Sequence, residues 1–504
     1  MTESILEYHD RTAYDRYRMS VSRLDGGSEP DVFKTYAGLE TISLREPTAL
    51  PTDNLSVLVG RDLTGSEPAE IDHDCLALIL RLTHSLTAKA RYGNVDFYYR
   101  SVASAGALYP FEMYVGLSNV PGLDDGLYHH KVADQGLTLL RKGNVNSALG
   151  GAVRTARDHP PTLVFFLTSI FYRSSWKYRD RAYRYHLLDT GHLAENLALA
   201  LTASAVPFEF HYDFADEAVN NLLSVDEERE ACLAIACAWS KRSGPSESVD
   251  LAEPETPLAA ASSVAAREVL YPYIQEVHLA TSVVVEPLKE EARLLEGLGP
   301  IPGERSVIRG PGKWPEVMDY SEAVFKRRSM RNFVREELTS DCMAALLRCL
   351  CSEPGCQAHS ESTGCGVVSV GLLVGNVERI DPGFYLLDRQ NESIGPVCRG
   401  QMMERLSRAC LDQGWLANCA VHFLFLSNFD LVQQSRGLRG YRHALLSAGR
   451  LGQRLYLAAT SMRLGCCGIG ALYDGEAAEL LGLNSQSRLL YLLGVGPIKK
   501  WPVR

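Results

Sequence analysis

Between residues 183 and 202, Leu188, Leu193, Ala194, Leu197 and Leu201 recur at near-helical spacing and Pro is absent, which predicts a largely buried helix. The same pattern returns at 441–460, aligned without gaps at an offset of 258 with ten of twenty residues identical. Agreement of that extent marks an internal repeat. At almost the same offset, 120–128 (VPGLDDGLY) echoes 377–385 (VERIDPGFY), each a turn opening into a strand. Apolar runs at 162–168 and 420–427 predict a strand just before the shared helix in each copy. Helices alternating with strands in both copies give an α+β fold, helices around a mostly antiparallel sheet. Residues 241–266 are rich in Ser, Pro, Glu and Ala, and 297–315 in Pro and Gly, so the chain divides into a domain at 1–240, a linker with some helix at 241–315, and a second domain at 316–504.

Composition narrows the partners. With 51 Lys plus Arg against 61 Asp plus Glu the net charge is −10, which argues against nucleic acid, and 46% hydrophobic with 22% charged residues is the balance of a globular protein. The apolar runs at 161–170 and 193–206 are shorter than the ~20 residues of a membrane span, so no membrane is expected. Glu3, Glu7 and Asp10 near the start do not form a signal peptide, and a cytoplasmic location follows as the expectation. Thirteen cysteines, ten of them between Cys342 and Cys467, suit a reduced compartment. The spacing of Cys349, Cys351, Cys356 and Cys365 matches neither a zinc ribbon nor a ferredoxin, so no metal is expected.

Candidate chemistry is divided between the copies. The second opens with Lys326-Arg327-Arg328-Ser329-Met330-Arg331-Asn332-Phe333, in which Arg327, Arg328, Arg331 and the Ser329 hydroxyl form a donor set suited to phosphate. Spacing alone fits a solvated basic turn as well. Directly after the shared helix come Gly465, Gly468, Ile469 and Gly470 in a turn where backbone can approach a flat ring, and the chain ends with the basic residues Lys499, Lys500 and Arg504. In the first copy, Ser101, Ser104, Ala105, Gly106 and Ala107 lie in a run of small residues before a strand at 111–116 and can wrap a ligand closely. Lys177 precedes Tyr178, and an adjacent ammonium lowers a phenol pKa toward that of a base; the alternative is an ordinary surface Lys.

The strings Tyr8-His9-Asp10-Arg11-Thr12, Val32-Phe33-Lys34-Thr35-Tyr36, Ser104-Ala105-Gly106-Ala107-Leu108-Tyr109-Pro110, Lys177-Tyr178 and residues 183–192 (YRYHLLDTGH) together resemble the SagB-type dehydrogenases, FMN-dependent azoline oxidases of the nitroreductase superfamily. The likeness covers most of 5–240, and 320–504 resembles a more generic nitroreductase domain. The resemblance implies two tandem nitroreductase-like domains in an intramolecular pseudo-dimer, with FMN in a cleft between them. By that resemblance Arg327, Arg328, Ser329, Arg331, Lys499, Lys500 and Arg504 hold the flavin phosphate. Gly465, Gly468, Ile469 and Gly470 lie against the ring, and the loop carrying Ser101, Ser104, Ala105, Gly106 and Ala107 arrives from the other copy. Lys177 and Tyr178 are then the catalytic pair.

At the 258 offset Gly465, Gly468 and Gly470 become Pro207, Phe210 and Tyr212, the basic opening is reduced to Arg61, and the Ser104 loop becomes Ser362-Thr363-Gly364 with Val368 in place of Pro110. Each copy is degenerate where the other is intact, so one flavin site is expected. The reaction class implied is oxidation of an azoline-type ring, thiazoline or oxazoline to azole, in a peptide or small-molecule substrate that can be carrier-bound. Other modifying enzymes of the same pathway are the implied partners. A nicotinamide-dependent nitro, quinone or flavin reductase and a non-catalytic flavin-binding scaffold are the alternatives.

Overall fold

The computed structural model describes residues 4–19, 24, 26–63, 67–93, 95–155, 157, 159–241, 250–254, 256–285, 295–352 and 366–501. Two seven-stranded sheets dominate it. The first runs, edge to edge, Thr41–Ser43, Gly136–Lys142, Gly126–Lys131, Phe111–Leu117, Leu163–Ile170, Glu230–Ala238 and Phe208–His211. The second repeats that order with Ser306–Val307, Ser393–Arg399, Gly383–Asp388, Ser369–Val374, Val421–Asn428, Ser487–Gly496 and Gly465–Ile469. Every pairing within both sheets is antiparallel. The chain thus folds as the α+β duplication its repeat predicts. A separate hairpin, Leu86–Tyr92 with Val95–Arg100, projects from the first copy.

The shared helices are Ala182–Ala203 and Gly440–Ser461, and both are buried along their length. Each ends on a non-glycine residue in the left-handed region, Ala205 and Arg463, whose N–H closes on Thr202 and Thr460. They cross at Gly191 and Gly449, themselves 258 apart. A Cβ on Gly191 would lie 2.2 Å from the Leu446 carbonyl oxygen, and one on Gly449 2.1 Å from that of Leu188. Only glycine lets two backbones meet this closely. One apolar core continues from Leu187 and Leu193 of the first copy to Leu445 and Leu451 of the second.

Charged clamps repeat the symmetry. Asp474 of the second copy accepts from Arg181 (2.8 Å) and Arg184 (2.6 Å) of the first, while Asp216 of the first pairs with Arg439 (2.8 Å) and Arg442 of the second. Burial alone would raise the two carboxyls, but the paired guanidiniums outweigh it and hold both below the usual range. Arg184 Nε donates to Thr12 Oγ1 (3.1 Å) and Arg442 Nε to Thr281 Oγ1 (2.9 Å). Tyr441 meets His9 at 3.2 Å, and Tyr183 meets His278 at 3.1 Å.

Those matches pair helix Ile5–Arg11 with helix Pro272–Ala280. Aligned at an offset of 269, ILEYHDRT and IQEVHLAT agree at four of eight positions. The linker expected at 241–315 therefore carries the second copy's own N-terminal helix, and each such helix is fastened to the opposite copy. No helix among the described residues is long and apolar enough to cross a membrane.

Candidate active site

Between the copies, near one end of the crossed helices, the first copy presents residues 100–109 to the second. Arg327, buried in the second copy, donates to the carbonyls of Ser101 (2.9 Å), Arg100 (3.0 Å) and Val102 (3.3 Å). Gln453 of the second shared helix receives the Ala103 N–H and donates to Ser101 O, both at 3.4 Å. Farther along, Asp189 of the first shared helix accepts the Ser104 hydroxyl at 2.6 Å and the Ala105 N–H at 3.1 Å. Burial pushes its carboxyl up to about 7 against the pull of those two donors. The apex then turns through left-handed backbone at Gly106, Ala107 and Tyr109.

Lys177 and Tyr178 end the helix Phe171–Tyr178, which stops where Arg179 takes a positive φ of 51°. They close on the loop apex: a Cβ on Gly106 would sit 2.7 Å from the Tyr178 hydroxyl and 3.1 Å from Lys177 Nζ. The glycine is needed on both counts, φ of 66° and contact. Tyr178 meets Tyr185 edge-on with centroids 4.6 Å apart, and Lys177 Nζ stands 5.3 Å from the Tyr178 ring centroid. The expected electrostatics are reversed. Burial, reinforced by Tyr185 and Asp189, raises the phenol instead of lowering it, whereas partial burial and then Arg331 lower the Lys177 ammonium. Tyr178 is thus a neutral hydroxyl, and Lys177 is the member of the pair moved toward a free base.

Facing them is the second copy's edge strand, Gly465–Ile469, where the sequence predicts a turn. A Cβ on Gly468 would meet the Tyr491 hydroxyl at 1.8 Å and one on Gly470 would meet Tyr185 Cε1 at 2.6 Å, so any larger residue would lift this strand off its neighbours. Gly465 is likewise pressed on Ile498, 2.2 Å from its Cβ position, and Ile469 packs in the second copy's own core. Gly468 and Gly470 are half-buried. Gly468 N–H donates to Tyr456 OH at 2.6 Å, and that hydroxyl lies 2.9 Å from Ser329 Oγ. Arg181 extends its clamp to the Gly470 carbonyl at 3.0 Å.

The basic opening divides. Arg327 is engaged with the Ser101 loop as described. Arg328 donates to the carbonyls of Phe325 (3.1 Å), Arg327 (2.6 Å) and Thr87 (3.3 Å) and lies 5.1 Å from the Tyr99 ring. Burial and Arg327 lower its guanidinium to about 10. Arg327 and Arg328 thus hydrogen-bond to backbone carbonyls, while Ser329 and Arg331 are exposed. Beside them run Lys499 and Lys500, both exposed, tied in by Lys499 N–H to Asn332 O (3.0 Å) and Asn332 Nδ2 to Lys500 O (3.1 Å). Arg504, Cys356, Cys365 and the Ser362-Thr363-Gly364 loop lie outside the described residues.

At the symmetry-related position the space is filled. Phe210 and Tyr212 are buried in place of Gly468 and Gly470. Arg450 and Arg454 reach Glu195 at 2.9 and 2.6 Å, and the Arg450 guanidinium covers Phe210 at 5.0 Å. Arg61 pairs with Asp53 at 3.2 Å. The side of the Lys-Tyr pair has the buried residues His192, Asn196 and Gln453 where the other side has Arg450, Arg454 and Glu195. His192 bridges Gln453 (2.9 Å) and Tyr491 (3.1 Å). Gln453 and Tyr456 are absent from the motif reading, and Tyr185 and Asp189 fall inside the 183–192 string with no role assigned to them. Their signal lies in the repeat itself, as buried polar positions at which two otherwise matching helices differ, such as Asp189 against Ser447 and Tyr456 against Ala198.

Residues 324–497 match the nitroreductase family. A protein of Methanocaldococcus jannaschii assigned to the nitroreductases is 25% identical over 182 residues, 36% of this chain and 92% of that one. The crystal structure of a protein from Anabaena variabilis, also assigned to the nitroreductases, superposes with a TM-score of 0.79 at 26% identity, covering 99% of this chain and 100% of that one. The second half of the chain therefore carries a nitroreductase-family domain, and its two-copy architecture is that of a nitroreductase-like solved structure.

Proposed function

We propose that the protein is an FMN-dependent dehydrogenase that oxidises an azoline-type ring to the azole in a peptide or small-molecule substrate. The observation that carries this reading is the convergence of Lys177 and Tyr178 on the Gly106 apex, opposite the half-buried Gly468 and Gly470 of the other copy. The residues suit the flavin. Gly468 and Gly470 leave a backbone surface on which a flat ring can lie, and Ser329, Arg331, Lys499 and Lys500 offer a hydroxyl and three cations for its phosphate. When bound there, FMN supplies the acceptor for two electrons and one hydrogen.

The chain's own groups manage the second hydrogen. Lys177, displaced toward its neutral amine, takes the proton from the ring carbon next to the one that is oxidised, and the electron pair of that C–H bond becomes the new double bond. Tyr178 keeps its proton and can donate a hydrogen bond to a ring heteroatom. The Ser104–Ala107 loop closes one side of the cleft. The enzymes that form the azoline ring are the partners this chemistry requires.

The family match over 324–497 favours a second reading, a nicotinamide-dependent reductase of nitro or quinone compounds. One experiment separates them. The purified protein, loaded with FMN, is mixed anaerobically with an azoline-containing peptide or with NADH or NADPH while flavin absorbance is followed. Bleaching by the azoline supports the first reading. Bleaching by nicotinamide alone replaces it with the second.

A further inference from the structure

We propose that Asp189 is the positioning residue that fixes the Ser104–Ala107 loop against Lys177 and Tyr178, and so sets the substrate side of the cleft. Only the naming of the cleft's contents rests on the flavin reading. Asp189 is 3% exposed, and among the described residues no Lys, Arg or His pairs with it. An unpaired buried carboxylate is unfavourable unless hydrogen bonds satisfy it. Here its donors are the Ser104 hydroxyl at 2.6 Å and the Ala105 N–H at 3.1 Å, both on the loop.

The contacts divide the loop. Arg327 and Gln453 hold its first residues, whereas Asp189 holds Ser104 and Ala105 directly before the apex. Ser104 Oγ also accepts the Tyr109 N–H at 2.9 Å, so the carboxylate restrains both ends of the turn. That turn includes two non-glycine residues at positive φ, Ala107 at 54° and Tyr109 at 47°, a conformation that persists only where surroundings enforce it. On the filled side the equivalent residue is Ser447, whose hydroxyl has no hydrogen-bond partner among the described residues, which do not include the corresponding loop at 362–364. In the repeat the carboxylate stands in the copy that carries the Lys-Tyr pair, and Ser447 takes its place in the other.

Amide hydrogen exchange on flavin-free protein tests this without reference to the cofactor. In Asp189→Ala, exchange of peptide 101–109 should accelerate about ten-fold or more, the scale of losing charge-assisted hydrogen bonds, while the helix at 182–203 keeps its protection. Asp189→Asn, which retains one acceptor, should restore part of the protection. Ser104→Ala should move the same peptide, and Ser104→Ala with Asp189→Ala should add little to the larger single effect. Wild-type exchange of 101–109 in Asp189→Ala, or full additivity in the double variant, overturns the proposal. Should Asp189→Ala not fold, Asp189→Asn decides: intermediate exchange supports the anchor and wild-type exchange overturns it. FMN titration by fluorescence quenching follows in the same variants, with affinity expected to fall several-fold in the order Ala, then Asn. If the wild type binds no FMN, the flavin reading fails and the exchange result still judges Asp189.

Discussion

A lysine three ångströms from a glycine's missing side chain is placed for chemistry only if it can lose its proton. Burial and Arg331 both push Lys177 that way, while Tyr178 is moved in the opposite sense. Lys177→Ala should therefore slow substrate-dependent flavin reduction by ~10²-fold or more, the usual scale for a lost general base, with flavin still bound. Lys177→Arg should be as inactive, because guanidinium does not deprotonate in this range. In the wild type the rate should rise with pH through the folded-state pKa of Lys177, which lies below the ordinary lysine value. Tyr178→Phe should leave that rising limb in place with a smaller loss. A rate unaffected by Lys177→Ala in stopped-flow flavin reduction would remove the assignment. On the phosphate side, Arg331→Ala should weaken FMN binding by about 1.5–3 kcal/mol, the worth of a hydrogen bond to a charged group, and Arg61→Ala should not. Equal effects in a titration would mean that the two copies share the grip.

The crossed helices make a sharper claim about packing. Ala is the better helix former, so Gly191→Ala and Gly449→Ala should each stabilise by propensity alone. Contact with a carbonyl oxygen at 2.2 and 2.1 Å predicts the reverse, a loss of about 1–3 kcal/mol in urea unfolding as the helices are forced apart. A gain would show that the crossing can slide. These helices were also the most legible part of the sequence, because apolar spacing and identity coincide over twenty residues without a gap. Ile5–Arg11 and Pro272–Ala280 were not legible as a pair. Their offset is 269 instead of 258, and only eight residues carry the match, so insertions between them hide the register. The glycines at 465–470 announced close approach of backbone but not its form, since an edge strand and a turn both call for glycine. The Lys-Tyr pair and the small-residue loop could be seen as motifs. Asp189 lies inside the 183–192 string, but its role was not legible there, because its partners are a hydroxyl and a backbone amide some 85 residues away in sequence.

Across the whole molecule, buried imidazoles set the response to acid. Burial lowers His9, His130, His186, His192 and His278 to about 3 each. Unfolded histidines titrate near ~6.5, so between about pH 6.5 and 3 the unfolded chain binds more protons and stability is lost as pH falls. Asp189, raised to about 7, acts in the other direction, weakening the fold as pH rises through the interval from ~4 to 7. Burial raises Asp180 as well, and two such groups against five histidines still leave a net loss on acidification. The thermal midpoint should therefore drop steadily from pH 6.5 to 5, and a flat or rising midpoint would contradict the burial of these rings. Released flavin should amount to one per chain, because Phe210, Tyr212 and the Arg450–Glu195–Arg454 bridge fill the second position. Two per chain would contradict that closure.

The same bridge bears on why the two halves share one chain. In a dimer of identical subunits every substitution is made twice. An arginine at the place of His192 would stop up both clefts at once, and natural selection would discard it. Joined end to end, the halves mutate independently, and one interface can be given over to cohesion while the other keeps its opening. With one flavin site per chain, as proposed, a single chain holds no twin site to communicate with, so its saturation curve should be a simple hyperbola.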